Sequence, residues 1–240
     1  MIKIENLEVW GFRGAIRGMR NPMDSWDKID TTFDEHGNVI KLGSNDGSLM
    51  LRLKVAGPDH RKYLRMIHIQ CDVTAPLYWW KDYDSYKVST VANGCSTMHK
   101  IHAYELNQSM FSTEDLDEVG LNVLQTTIDY MNYYRDIYIA SGLTDKTAWR
   151  RIIQLLPTSY NQKRTIDINY ETLLNIFRAR SNHKLYEFRD FCSFLKKELP
   201  YIAALFNGEV PYDGPEEEVL IWQLLLMTKI IHYARIAINF

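Results

Sequence analysis

Residues 155–189, LLPTSYNQKRTIDINYETLLNIFRARSNHKLYEFR, constrain the fold of this chain more than any other stretch. Leu156-Pro157 interrupts whatever precedes it, because proline lacks an amide proton and disfavours helical backbone at the residue before it. Farther on, Tyr170, Leu173, Leu174 and Phe177 recur at i, i+3, i+4 and i+7, which is one apolar helix face over 170–180. Asn169 stands at the N-cap position of that helix, and Arg180 where a cation complements the negative end of its dipole. A helix with an Asn at one end and an Arg at the other also presents a polar contact at each end. Spacing alone leaves the capping and ligand-binding readings both open.

The rest of the chain divides by its punctuation. Residues 2–12 alternate as a strand, and Arg13, Arg17 and Arg20 then recur at helical spacing, which predicts a solvated basic face. His36-Gly37-Asn38 marks a hairpin tip. Residues 47–55 predict a short helix stopped by Gly57-Pro58. Residues 64–74 alternate with Ile67, Ile69, Cys71 and Val73 on one face, and Ala75-Pro76 ends that strand. PLYWWKDYD reads as a helical turn, residues 85–92 as a short β-prone segment, and Asn93-Gly94 as a turn. Ser112 or Thr113 is expected to cap a long helix stopped by Gly142, and Thr144 to open the next, which runs to about Leu155. Residues 183–206 read as helix broken near Pro200, Gly208–Pro215 as a linker, and the segment from Pro215 as a final helix. With no internal repeat, this predicts an α+β fold in one domain over 1–240, with 207–240 as a C-terminal helical extension.

Composition excludes some classes. A net charge of −2 gives no polyelectrolyte signature, so no nucleic-acid surface is expected. The apolar-rich tract from Val219 to Phe240 is interrupted by Gln223, Lys229, His232 and Arg235 and predicts a mostly buried helix with no membrane partner. Three scattered cysteines and an N-terminus without an apolar core predict a reducing, cytoplasmic setting. His99 and His102 have ligand spacing but no third partner, so no metal is expected. Cys95 beside Ser96 has the makings of a nucleophile without an identified base. The Trp79, Trp80 and Tyr83 cluster suits either a core or a ring-stacking surface.

The 155–189 stretch also resembles the C-terminal signature of the flavin-dependent thymidylate synthases (ThyX): Leu-Pro, an Asn, a short helix ending in Arg, then a Glu-x-Arg tail. Pro157, Asn169 and Arg180 fall on that pattern without a gap, and Glu187 and Arg189 fall on it after a one-residue deletion. The likeness extends upstream over residues 60–189. His60 falls on the family's first flavin-side His, while its later Glu and His fall on Arg65 and Met66. The family's central motif, Arg-His-Arg followed by Ser, Asn and Ser, is degenerate here. Its basic triplet falls on Ser85, Tyr86 and Lys87, and its serines on Thr90 and Cys95, with Ser96 adjacent. The Asn falls on Ala92, or on Asn93 in a register shifted by one. The pyrimidine-reading Gln falls on Asp82, and an Arg four residues before the Pro falls on Ile153, with Arg151 nearby.

What the resemblance implies is an α+β homotetramer whose active sites are made by several subunits. FAD would be the cofactor, NADPH and methylenetetrahydrofolate the co-substrates, and reductive one-carbon transfer to dUMP giving dTMP the reaction. Carried over residue by residue, His60, Ser85, Tyr86, Lys87 and Asn169 face FAD. Asp82, Cys95, Ser96, Arg151 and Arg180 face the nucleotide, and Lys87 and Arg180 are the catalytic cations. One Lys does not reproduce the forked donors of two Arg, so Arg150, Arg151, Arg164, Arg178 and Arg180 are candidate substitutes. The acid at position 82 also suits a cytosine amine, which leaves a related enzyme on another pyrimidine nucleotide as an alternative. A homologue that keeps the fold without the reaction is the other.

Overall fold

The computed structural model describes residues 2–214, so the helix expected from Pro215 and the apolar tract after it lie outside the described residues. The fold is mixed α+β with antiparallel sheet. In chain order the elements are β1 (Lys3–Trp10), α1 (Phe12–Arg20), β2 (Thr32–Phe33), β3 (Val39–Lys41), α2 (Ser44–Val55), β4 (His68–Pro76) and α3 (Leu77–Tyr83). There follow β5 (Thr90–Gly94), α4 (Thr97–Lys100), α5 (Glu118–Ala140), α6 (Lys146–Leu155), β6 (Asn161–Asn169), α7 (Tyr170–Arg180), α8 (Tyr186–Glu198) and α9 (Ile202–Asn207). One sheet has the order β1-β4-β6-β5, and β2 and β3 form a separate antiparallel hairpin. Side-chain pairs fix the antiparallel sense of β4 against β6 in the larger sheet. Gln70 bonds Asp167 and Asp72 bonds Thr165, so numbers rise along β4 as they fall along β6. Every second residue of β4, namely Ile69, Cys71, Val73 and Ala75, is buried, as the alternation in the sequence requires.

The chain forms two compact units from interleaved segments. The first takes residues up to Leu7, Cys71–Ile166 and Lys184–Phe191. In it Trp79, Trp80 and Tyr83 of α3 are fully buried; Trp79 stacks on Tyr83 at 5.1 Å and meets Phe188 at 4.8 Å. The aromatic cluster is therefore core. A second apolar cluster joins Leu124, Ile128 and Met131 of α5 to Ile152 of α6 and to Ile101, Leu106 and Phe111. Asp117, rather than Ser112 or Thr113, caps α5 by accepting from the Gly120 amide at 2.8 Å. Asp145, rather than Thr144, caps α6. Gly142, at φ +67°, closes α5 as expected.

The second unit takes Glu8–Gln70, Asp167–His183 and residues 192–214. Its centre is ionic as well as apolar. Arg20, expected on a solvated face with Arg13 and Arg17, is instead buried against Asp46, donating Nε at 2.9 Å and Nη2 at 2.6 Å to Oδ1. Asp46 Oδ2 accepts from the Asp30 and Thr31 amides and from Thr31 Oγ1 at 2.7 Å. Periodicity put Arg20 on the helix face correctly, but not the carboxylate 26 residues away that neutralises it. Phe12 packs edge-on to Tyr170 at 5.6 Å and to Tyr201 at 5.7 Å. Gly11 joins β1 to α1 at φ +96°, and a Cβ there would lie 2.0 Å from the Met66 carbonyl oxygen. Both facts restrict this position to glycine.

Candidate functional site

The first unit holds a cavity of about 510 Å³. One wall runs from Cys95 through Ser96, Thr97 and Lys100 to Tyr104, and the other is residues 160–163 at the start of β6. The walls are tied together at their base. The Cys95 amide donates to the Lys163 carbonyl at 2.9 Å, and Gln162 Nε2 donates to the Cys95 carbonyl at 2.6 Å. Ser96 starts α4 by accepting from the His99 amide at 3.1 Å. Trp149 Nε1 reaches across from α6 to the Met98 carbonyl at 2.9 Å. Beyond α4, Asn132 of α5 brackets Leu106 with both halves of its amide, at 2.9 and 2.8 Å, and Arg135 Nε donates to the His102 carbonyl at 3.0 Å. A segment with little regular structure is thus held by the side chains of a long helix.

Gly94 serves this geometry and not a turn. Expected with Asn93 to form a turn, it is the last residue of β5, where an added Cβ would lie 2.8 Å from Arg164 Cγ. Arg164 lies with its guanidinium 4.3 Å over the Trp80 ring, donates Nε to Gln162 Oε1 at 2.9 Å and pairs Nη1 with Asp84 at 2.9 Å. Stacking, a fork contact and an ion pair occupy it, so it is not the spare cation that the sequence suggested. Lys163 is similarly engaged: its Nζ lies 3.0 Å from Asp72 and 3.7 Å from Glu5, and the bond to Asp72 chiefly raises its pKa. Thr165, Lys163 and Asn6 in turn hold the Asp72 carboxyl down at about 2.

Cys95 and Ser96 line the cavity. Cys95 is the exposed thiol of the three cysteines; Cys71 and Cys192 are buried, and burial pushes their thiols up to about 12 and about 11. Asp82 is half-buried on α3, and its carbonyl accepts from Ser85 Oγ at 2.7 Å. Ser85 and Lys87 are exposed on the turn after α3, Tyr86 is half-buried there with its carbonyl bonded to Thr90 Oγ1, and Lys87 forms no ion pair among the described residues. Arg151 is exposed on α6 with its guanidinium 4.5 Å over the Tyr134 ring.

The remaining predicted residues belong to the second unit. His60 is exposed just before the 3-10 turn Arg61–Met66. Asn169 is 2% exposed and caps α7, its Oδ1 accepting from the Thr172 amide at 2.9 Å. Arg180 is half-buried in the last turn of α7, with Nη1 2.7 Å from His183 Nε2. Glu171, which the sequence did not single out, sits at the start of α7 between Arg61 Nε at 2.9 Å and the Arg65 guanidinium. Burial raises its carboxyl, but the bonds to Arg65 and Arg61 outweigh that and lower it.

Sequence reasoning also missed Lys100 and a smaller cavity of about 310 Å³ in the first unit. The smaller cavity is bounded by Tyr78, Ser112, Glu114, Asp115 and Tyr186. Behind it Tyr78 Oη donates to Glu187, which is 1% exposed and whose Oε2 has no partner among the described residues. The Glu-x-Arg tail was the one sequence signal that pointed there.

Three crystal structures share this fold over most of the chain. The flavin-dependent thymidylate synthase ThyX from Helicobacter pylori, complexed with FAD and dUMP, superimposes with a TM-score of 0.60 at 15% identity, covering 88% of this chain and 100% of that one. A second ThyX structure from H. pylori, also with FAD and dUMP, gives 0.61 at 16% identity, covering 86% and 97%. A UMP/dUMP methylase, PolB from Streptomyces cacaoi, bound with 5-Br dUMP, gives 0.58 at 12% identity, covering 87% and 94%. At these identities the likeness is one of fold. No family model and no curated protein matches the sequence.

Proposed function

We propose that this chain is a flavin-dependent thymidylate synthase-like enzyme, transferring a one-carbon unit reductively to dUMP with FAD as cofactor and NADPH and methylenetetrahydrofolate as co-substrates. The observation that carries the reading is the fold shared across nearly the whole length of a protein solved twice with FAD and dUMP. The cavity supports it. The positions onto which the resemblance carries a nucleotide-binding serine, Cys95 and Ser96, open into a space lined by hydroxyls, amides and lysines. Polar groups converging in one concavity are what a small polar ligand requires.

The residues present also suit a flavin. Lys87 is an exposed cation on a turn with Ser85 and Tyr86 and has no ion-pair partner among the described residues, and a cation of that kind can oppose a phosphate or a ring that becomes anionic. A bound flavin would supply the carrier of the carbon and the hydride. In this reading Lys87 and Arg180 stabilise developing negative charge, and Ser85, Tyr86, His60 and Asn169 hold the flavin. Asp82, Cys95, Ser96 and Arg151 orient the nucleotide in a homotetramer. No protein nucleophile is needed, so Cys95 acts as a wall of the cavity.

Asp82 favours a second reading, a relative that modifies another pyrimidine nucleotide, since a carboxylate in place of an amide selects a hydrogen-bond donor on the base. The visible absorbance of the purified protein tests both. Added FAD should bind near stoichiometrically, and dUMP should perturb the flavin band. Perturbation and turnover with dCMP in place of dUMP would support the second reading. A protein that ignores FAD and every pyrimidine nucleotide would leave only a non-catalytic homologue.

A further inference from the structure

We infer that Lys100 is the phosphate-contacting cation of the 510 Å³ cavity, an assignment that rests on the nucleotide reading above. Among the described residues two lysines, Lys100 and Lys163, line the cavity, and no carboxylate does. The ammonium of Lys163 is held by Asp72 and Glu5, and the neighbouring Arg164 is held by Asp84. Lys100 is exposed and forms no ion pair among the described residues, so of these cations it is the one left available to an anionic group in the cavity.

The mounting of Lys100 fits the role. It is the last residue of α4, and its own amide donates to the Ser96 carbonyl at 3.1 Å while its carbonyl accepts from the Ala103 amide at 2.9 Å. The turn that carries it is anchored by the Trp149 bond to the Met98 carbonyl. The backbone is therefore fixed and only the flexible stem must be ordered on binding. Thr97, Tyr104 and Asn161 on the same cavity add hydrogen-bond donors, so a phosphate would meet one full charge and several neutral donors.

The exposed thiol of Cys95 in the same cavity supplies the readout. The protein, with FAD added, is alkylated with iodoacetamide, and the rate at Cys95 is followed by mass spectrometry against dUMP or deoxyuridine. Both ligands should slow labelling of wild-type protein, deoxyuridine only at about 10- to 100-fold higher concentration, the range of one charge-assisted contact. Lys100→Ala and Lys100→Gln should move the dUMP midpoint to that of deoxyuridine and leave the deoxyuridine midpoint in place. Lys100→Arg should keep the preference for dUMP. Unlabelled Cys71 and Cys192 in the same spectrum verify that each variant is folded. If dUMP protects Cys95 equally well in wild type and Lys100→Ala, the assignment of Lys100 is overturned while the nucleotide reading stands. If no pyrimidine nucleotide or nucleoside protects Cys95 in wild-type protein, the nucleotide reading of the cavity fails and the assignment with it.

Discussion

Replacing Asp46 with alanine should be among the most damaging single changes in the second unit. The carboxylate is 0% exposed and accepts five hydrogen bonds, two from Arg20 and one each from the Asp30 amide, the Thr31 amide and Thr31 Oγ1. Asp46→Ala leaves a guanidinium that is 5% exposed without its counter-charge and strips the loop at residues 30–31 of its acceptor. Breaking a buried ion pair from one side costs about 3–5 kcal/mol. Against a total stability of about 5–15 kcal/mol and a urea slope of about 2 kcal/mol/M, the midpoint should fall by about 2 M. Arg20→Met should do less, because Asp46 keeps its three other donors. The double variant should recover part of the Asp46→Ala loss, a coupling of at least about 1 kcal/mol. Urea unfolding followed by tryptophan fluorescence reads all three. If Asp46→Ala lies within about 1 kcal/mol of wild type, or if the two single effects simply add, the pair does not organise this unit as argued.

Native protein should show one fast-reacting thiol, Cys95, in a disulfide-exchange titration and three after denaturation; two fast native thiols would contradict the burial of Cys71 and Cys192. The Glu171 carboxyl is lowered in the fold, so its stabilisation should be fully present above the ordinary carboxylate range and be lost as pH falls through the folded value. Urea midpoints measured from pH 6 down to pH 3 should accordingly fall more steeply for wild type than for Glu171→Gln, and parallel curves would remove Glu171 from the account.

Helix α7 was legible to the residue, because its apolar spacing, its Asn cap and its terminal Arg are all local. The alternation in β4 and the hairpin tip at His36-Gly37-Asn38 were legible for the same reason. Strand β6 was not read. Its first residues are all polar, and only Ile166 and Ile168 keep the period of two. The role of Gly94 escaped because its constraint is the stem of Arg164, 70 residues later, which no window on the sequence contains. In the cavity, the resemblance reached Cys95 and Ser96 but not Lys100, whose significance appears only once Lys163 and Arg164 are seen to be occupied. Burial of Arg20 was hidden likewise, since helical spacing gives a face and not its partner.

Three strands of the chain turn into helices with almost no connecting residue. Pro76 ends β4 and caps α3, Asn169 ends β6 and caps α7, and Gly11 alone separates β1 from α1. Such joints have no slack. A strand side chain changes face with every residue, while a helix residue advances by about 100° around its axis. Adding or deleting one residue at Asn169 would therefore either invert the faces of β6 or rotate the apolar stripe of α7 away from its packing. Length variation in this chain should be confined to the stretches between helices and within the 101–117 segment. Natural relatives and engineered insertions alike should leave these three joints at fixed length even where every flanking side chain has changed.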